Sequence, residues 1–289
     1  MYQFISLEVR MTKKEYVKLA INHQSADRVP YLIDFTGDAW EAIKKEVGEI
    51  TSELYDNYVA GVGIPWWGWH QLESDWYGHE APKSKAKVMG SGSYDGLADR
   101  IKETSDKTGK YILVMIYGSH FEKAYFSRGI ENFLADMAGE KDFARNLLTK
   151  IVDKNMVMLE NVLNIPEIDG ILLGSDWGSQ RGLLMSPEVW EEMIAPGEHR
   201  EYDLIHSYGK DVWVHSCGCI DVIIPRLIEM GLDVLNPVQP ECMNIQMLKD
   251  NYGDKLSFWG GISTQDTLPY GTPEEVKKEA RRVRDLMSR

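Results

Sequence analysis

The residues best suited to chemistry in this 289-residue chain are His215-Ser216-Cys217-Gly218. They close a short apolar run, Asp211-Val212-Trp213-Val214, that reads as a buried strand. Residues two apart on a strand face the same side. The imidazole of His215 and the thiol of Cys217 are therefore expected to point into one pocket. Imidazole and thiolate are ligands of a zinc-type ion. Cys242 follows the next predicted strand and could supply a third ligand from the neighbouring loop, with Cys219 as the alternative. A cysteine in such a place is also simply a small buried apolar residue, so the metal expectation depends on these side chains meeting.

Two carboxylates are candidates for acid–base work or for orienting a ligand. Asp176 ends a predicted strand and precedes Trp177-Gly178, and Asp34 ends an earlier one. A carboxylate in such a loop can instead cap nearby backbone amides. Residues expected to touch substrate are Tyr117, Gln180, Arg181, Gln239 and Trp67. Arg181 could hold an anion or pair with one of the chain's many carboxylates. Trp67 lies in the dense cluster Trp66, Trp67, Trp69 and His70, which would make a stacking wall for a flat ligand or would pack a core or an interface.

These positions must be held by larger elements. Helical patterns cover about residues 12–22, 39–47, 129–137 and 141–163, and strands are expected at 30–35, 61–67, 111–116, 168–173, 212–215, 234–236 and 256–259. Ser186-Pro187-Glu188 is a clean helix start, and residues 221–230 form a helix that Gly231 stops. Thr272-Pro273-Glu274-Glu275 is a capping box that opens the final helix. Strand followed by helix, about seven times, implies parallel strands with crossover helices. The expected fold is α/β, a (β/α)8 TIM barrel lacking its eighth strand, as one domain over residues 1–289. Every candidate residue named above except the Trp67 cluster follows a strand, on the face where such barrels carry their chemistry.

Composition narrows the class. Hydrophobic residues make up 43% and charged residues 27%, ordinary values for a globular enzyme. The net charge of -13 argues against a nucleic-acid surface, which needs clustered Lys and Arg. No apolar run approaches the roughly 20 residues that span a bilayer, and Met1 to Arg10 lacks a signal-peptide pattern. The expected location is cytoplasmic, where the three cysteines would be thiols or metal ligands rather than disulfides. An open barrel edge would favour a homodimer.

Several ordered segments resemble the uroporphyrinogen decarboxylase superfamily, and within it the branch similar to methylcobamide:coenzyme M methyltransferases. They are Gly174-Ser175-Asp176-Trp177-Gly178-Ser179-Gln180-Arg181-Gly182, Met185-Ser186-Pro187-Glu188, Trp213-Val214-His215-Ser216-Cys217-Gly218, Leu235-Asn236-Pro237-Val238-Gln239-Pro240 and Phe258-Trp259-Gly260-Gly261-Ile262. The resemblance implies a TIM barrel and, for this branch, a zinc ion held by His215, Cys217 and a further ligand. That ion would bind a thiol that accepts a methyl group from a corrinoid on a partner protein. Two features depart from the pattern. The decarboxylases carry an arginine-rich segment at the end of the first strand, where this chain reads Asp34-Phe35-Thr36-Gly37-Asp38. The distant cysteine of the zinc methyltransferases would fall beyond Arg289. The alternatives are decarboxylation of a tetrapyrrole acid, and a non-catalytic homologue that binds a corrinoid or a partner.

Overall fold

The computed structural model describes residues 11–49, 51, 55–65, 93–116 and 118–288. Trp67 and Tyr117 lie outside the described residues, as do Trp66, Trp69 and His70. The chain begins with α1 (Lys13–Ile21) and α2 (Gly37–Val47), then β1 (Val59–Gly63), α3 (Leu97–Thr108) and β2 (Tyr111–Ile116). Three helices follow, α4 (His120–Arg128), α5 (Ile130–Gly139) and α6 (Lys141–Leu163), before β3 (Gly170–Gly174). A small antiparallel ribbon, β4 (Gly178–Ser179) and β5 (Gly182–Leu183), leads to α7 (Pro187–Met193), α8 (Ala195–Ser207) and β6 (Asp211–His215). The rest is α9 (Ile224–Glu229), β7 (Val234–Val238), α10 (Ile245–Tyr252), β8 (Ser257–Gly260), α11 (Thr267–Tyr270) and α12 (Pro273–Met287).

The six long strands form one parallel sheet in the order β1-β2-β3-β6-β7-β8. Strand parity sorts their side chains into two cores. Ile112, Val114, Ile171, Leu173, Val212, Val214 and Leu235 pack outward against the helices. Tyr111, Leu113, Leu172, Trp213 and Val234 pack with Val59 on the opposite face, which is the barrel interior. Both faces are covered, which is why β2 reads as a continuous apolar run rather than an alternating one. Interior space is shared between large and small residues: at Gly170 a Cβ would collide with the Tyr111 hydroxyl.

The end from which the strands start is covered by α1. Thr12 and Glu15 cap this helix reciprocally, and Val17 and Ile21, four residues apart on one helical face, join the interior core. Lys18 Nζ pairs with Asp211 Oδ2 at 2.6 Å, Lys14 pairs with Asp169, and Ser257 Oγ donates to the Ala20 carbonyl at 2.9 Å. Asp169, Asp211 and Ser257 all stand at strand beginnings. The opposite end carries the loops.

The segment at 30–35, expected as the first strand, is extended chain outside the ladder. It nevertheless touches both edges of the sheet. The Tyr58 amide donates to the Tyr31 carbonyl at 3.0 Å, next to β1, and Trp259 Nε1 of β8 donates to the Leu32 carbonyl at 3.3 Å. Asn57 replaces a strand partner with its side chain: Oδ1 accepts from the Ile33 amide at 3.0 Å and Nδ2 donates to the Ile33 carbonyl at 2.8 Å. The result is a TIM-barrel ring of six ladder strands, with this seventh extended segment bridging its two edges and no eighth strand among the described residues. Other differences from the sequence expectation are local. β1 starts at Val59 rather than Gly61. The segment 221–230 is a 3-10 turn followed by α9. A whole helix, α4, replaces what reads as loop after β2. Among the described residues no helix is long and apolar enough to cross a membrane.

Candidate functional site

β6 delivers His215 to the rim with the same parity as Asp211 and Trp213, so its ring faces inward. Next to it, Asn236 of β7 fixes the ring. His215 Nδ1 lies 2.6 Å from Asn236 Oδ1, an oxygen that only accepts, so Nδ1 carries the proton and Nε2 keeps its lone pair. Asn236 is itself oriented by its Nδ2, which donates to the Trp259 carbonyl at 3.1 Å. The β7–β8 ladder is irregular between Leu235 and Val238, where Pro237 has no N–H to give.

The other nitrogen, Nε2, faces the two remaining side chains of the group. Cys217 Sγ lies at 3.5 Å and Asp176 Oδ1 at 3.7 Å. Asp176 Oδ1 also accepts from the Cys217 amide at 2.9 Å, so the loops after β3 and β6 lock together. Asp176 sits at a positive φ of 34°, a conformation that Asp tolerates better than most side chains. On either side Trp177 is buried, with its amide bonded to Ser216 Oγ at 2.9 Å, and Ser175 is buried. Gly218 closes the turn at φ +85°. A Cβ there would lie 2.5 Å from the carbonyl carbon of Gly178, so the β4–β5 ribbon packs directly on the cysteine loop. Gln239 Oε1 accepts from the Gly218 amide.

Charge around the thiol is negative. Burial, then the carboxylates of Asp176 and Glu122, push the Cys217 thiol up to about 11. Glu122, on the first turn of α4, is raised by burial and by the charge of Asp176, and Tyr125 donates its hydroxyl to Glu122 Oε1 at 3.1 Å. A cation would reverse this balance, because a coordinated thiol gives up its proton. The donor set fits one. The ligand atoms of Asp176, His215 and Cys217 all lie within 4.8 Å of one another. The 3.5 and 3.7 Å separations are close to the roughly 3.3–3.6 Å edges of a tetrahedral zinc shell. His215 has the supporting acceptor that ligating imidazoles use. His215 and Asp176 remain 29% and 40% exposed, which leaves an open side for a substrate.

The third position in this group is therefore filled by Asp176, and neither Cys242 nor Cys219 joins it. Cys219 Sγ turns to Asp221 Oδ1 at 3.3 Å, and Cys242 Sγ faces the Gln239 carbonyl at 3.8 Å. Asp34 is exposed, and its Oδ1 accepts from the Phe35 amide at 2.9 Å; it belongs to the bridging segment rather than to the cluster. Gln180 and Arg181 form the exposed turn of the β4–β5 ribbon, where the Arg181 amide donates to Ser179 Oγ at 3.2 Å. Gln239 acts on the loop backbone. Sequence reading did not single out Asn236, Glu122 or Tyr125 for the site. Asn236 had a signal, as the last residue of a predicted strand, while Glu122 becomes visible only once α4 is known to begin at the rim.

Comparison with known proteins agrees with this architecture. Residues 81–288 match the uroporphyrinogen decarboxylase (URO-D) family. No curated protein matches the chain significantly. Among solved structures, a methyltransferase from Methanosarcina mazei superposes with a TM-score of 0.69 at 16% sequence identity, covering 96% of this chain and 91% of its own. That likeness is one of fold. With its curled parallel sheet of six strands and a family match over most of its length, the chain belongs to the uroporphyrinogen decarboxylase (URO-D) family.

Proposed function

We propose that the chain is a zinc-dependent methyltransferase that moves a methyl group from a corrinoid, carried by a separate partner, to a small thiol. The observation that carries this reading is the Asp176–His215–Cys217 group, three donors of zinc-binding type at the open end of a barrel in this family. Zinc bound there would hold the acceptor thiol as a thiolate near neutral pH. The chain's own residues do the positioning. Asn236 sets the tautomer of His215, Asp176 braces the Cys217 amide, and Gln239 holds the Gly218 turn. Glu122, its pKa raised by burial and by the charge of Asp176 and bonded to Tyr125, stands beside the group where a proton can be taken up or released.

The decarboxylation reading has less support. It needs a cluster of cations for substrate carboxylates. Among the described residues no Lys or Arg ion-pairs with Asp176, and the side chains gathered around it are a thiol, an imidazole and a carboxylate.

The test is methyl transfer from methylcobalamin to a panel of small thiols, with thioether formation measured for the zinc-loaded protein. Wild type should turn over, and Cys217→Ser and His215→Ala should each lose about 100-fold or more. Full activity in the Cys217→Ser protein would overturn the reading.

A further inference from the structure

Below the rim lies a second polar group that the site above does not use. Ser119 and His120 begin α4, Glu198 and Glu201 lie one turn apart on α8, and all four are 0% exposed. Ser119 Oγ is 3.1 Å from His120 Nδ1, 3.3 Å from Glu198 Oε1 and 3.1 Å from Glu201 Oε2. His120 Nδ1 is 3.4 Å from Glu198 Oε1 and 3.9 Å from Glu201 Oε2. These separations run from 3.1 to 3.9 Å, and the ligand atoms of His120, Glu198 and Glu201 all lie within 4.8 Å of one another. Ligands about 2.0 Å from a tetrahedral ion are about 3.3 Å apart, so the cage has the size of a metal shell.

Hydrogen bonding alone serves this group poorly. Ser119 has one hydroxyl proton for two carboxylates. His120 Nε2 lies 3.1 Å from the Ile194 carbonyl, which only accepts, so Nε2 is protonated and Nδ1 turns toward the carboxylates. An imidazolium would draw a carboxylate to about 2.7–2.9 Å, well inside the distances found. Glu198 Oε2, the oxygen turned away from the cage, is buried without a well-formed hydrogen bond; its carboxylate neighbours the Tyr202 hydroxyl, one turn further along α8, which burial and that carboxylate push up. Asn155 Nδ2 donates to Glu201 Oε1 at 2.8 Å and Ser175 Oγ to Glu198 Oε1 at 3.3 Å. Lys123 adds one nearby positive charge, with its Nζ on the Gly118 carbonyl. His120 and Lys123 both stand against these two carboxylates.

We propose that Ser119, His120, Glu198 and Glu201 form a closed site for a divalent first-row transition ion of the zinc class. Its nitrogen and oxygen donors suit zinc or manganese better than a soft ion. The ion would tie α4 to α8 beneath the rim. Through Ser175, the neighbour of Asp176, and through His120, two residues before Glu122, it would stiffen both loops that frame the open site.

The experiment uses the full chain with His215→Ala and Cys217→Ser combined, which removes the thiol site and leaves the cage intact. After loading with Zn2+ and desalting, this protein should retain about one equivalent and melt at a higher temperature than after chelation. Loading with Co2+ should give ligand-field absorption without a thiolate charge-transfer band. Adding Glu198→Gln, which keeps the side-chain shape, should abolish retention. A folded double variant that retains no ion, or an ion that survives both Glu198→Gln and Glu201→Gln, would overturn the proposal. Because the thiol site is absent throughout, neither result bears on the methyl-transfer reading.

Discussion

A single hydrogen bond decides which nitrogen of His215 is available. If Asn236 were replaced by alanine, the ring could rotate and protonate on either side. Asn236→Ala should weaken metal binding about 10- to 100-fold, measured by competition with a chromophoric chelator, while Asn236→Asp, which keeps the acceptor, should retain most of it. Equal loss in both variants would mean that Asn236 serves the β7–β8 ladder rather than the ring. At this scale the sequence was informative where spacing along one strand decides the outcome. His215 and Cys217 meet at 3.5 Å, as the spacing suggests, although β6 ends at His215 and Cys217 stands in the loop beyond it. The third partner was not legible, because Asp176 reaches Cys217 across 41 residues and its orientation depends on a positive φ that no local pattern announces. The cysteines nearest in sequence attract attention first, yet their side chains turn to Asp221 and to the Gln239 carbonyl.

Elements were legible where a cap or an apolar face marks them. The final helix, with its capping box, falls where expected. α4 does not announce itself, because its buried face, His120, Lys123, Ala124 and Ser127 at helical spacing with Phe121 beside them, is largely polar and gives no apolar period. Contacts between elements carry their own pH dependence. His206 of α8 bonds Asp233 Oδ2 at 2.9 Å just before β7, and the same oxygen accepts from the Val212 amide at 2.7 Å. The hydrogen bond to Asp233 raises the pKa of His206 above its usual 6.5, against the opposing effect of burial. The folded state therefore binds the proton more tightly than the unfolded state. The stabilisation is complete below about pH 6.5 and disappears as pH rises through the raised folded value. His206→Asn should lower the melting temperature clearly at pH 5.5 and much less at pH 9. A destabilisation that does not change with pH would show that packing against Gly231, whose Cβ position lies 2.8 Å from the ring, is the dominant contribution.

At the scale of the molecule, the barrel class followed from the alternation of strands and helices, but the manner of its closure did not. The 30–35 segment has the apolar, β-branched look of a strand, with Val29, Tyr31, Ile33 and Phe35 exposed in alternation, yet it bridges two edges by isolated contacts. Asn57, 3% exposed, carries much of that bridge, and nothing in the sequence marks it. Asn57→Ala should cost about 1–2 kcal/mol and speed amide exchange at Ile33 relative to β2. Unchanged exchange there would assign the closure to the Tyr31 and Trp259 contacts instead. The helix across the strand beginnings has a different consequence. With α1 beneath and Tyr111, Leu113, Leu172 and Trp213 filling the centre, the described residues present the rim cluster to its surroundings from the loop side. On the reading proposed above, a methyl donor and its acceptor would both approach from that one direction.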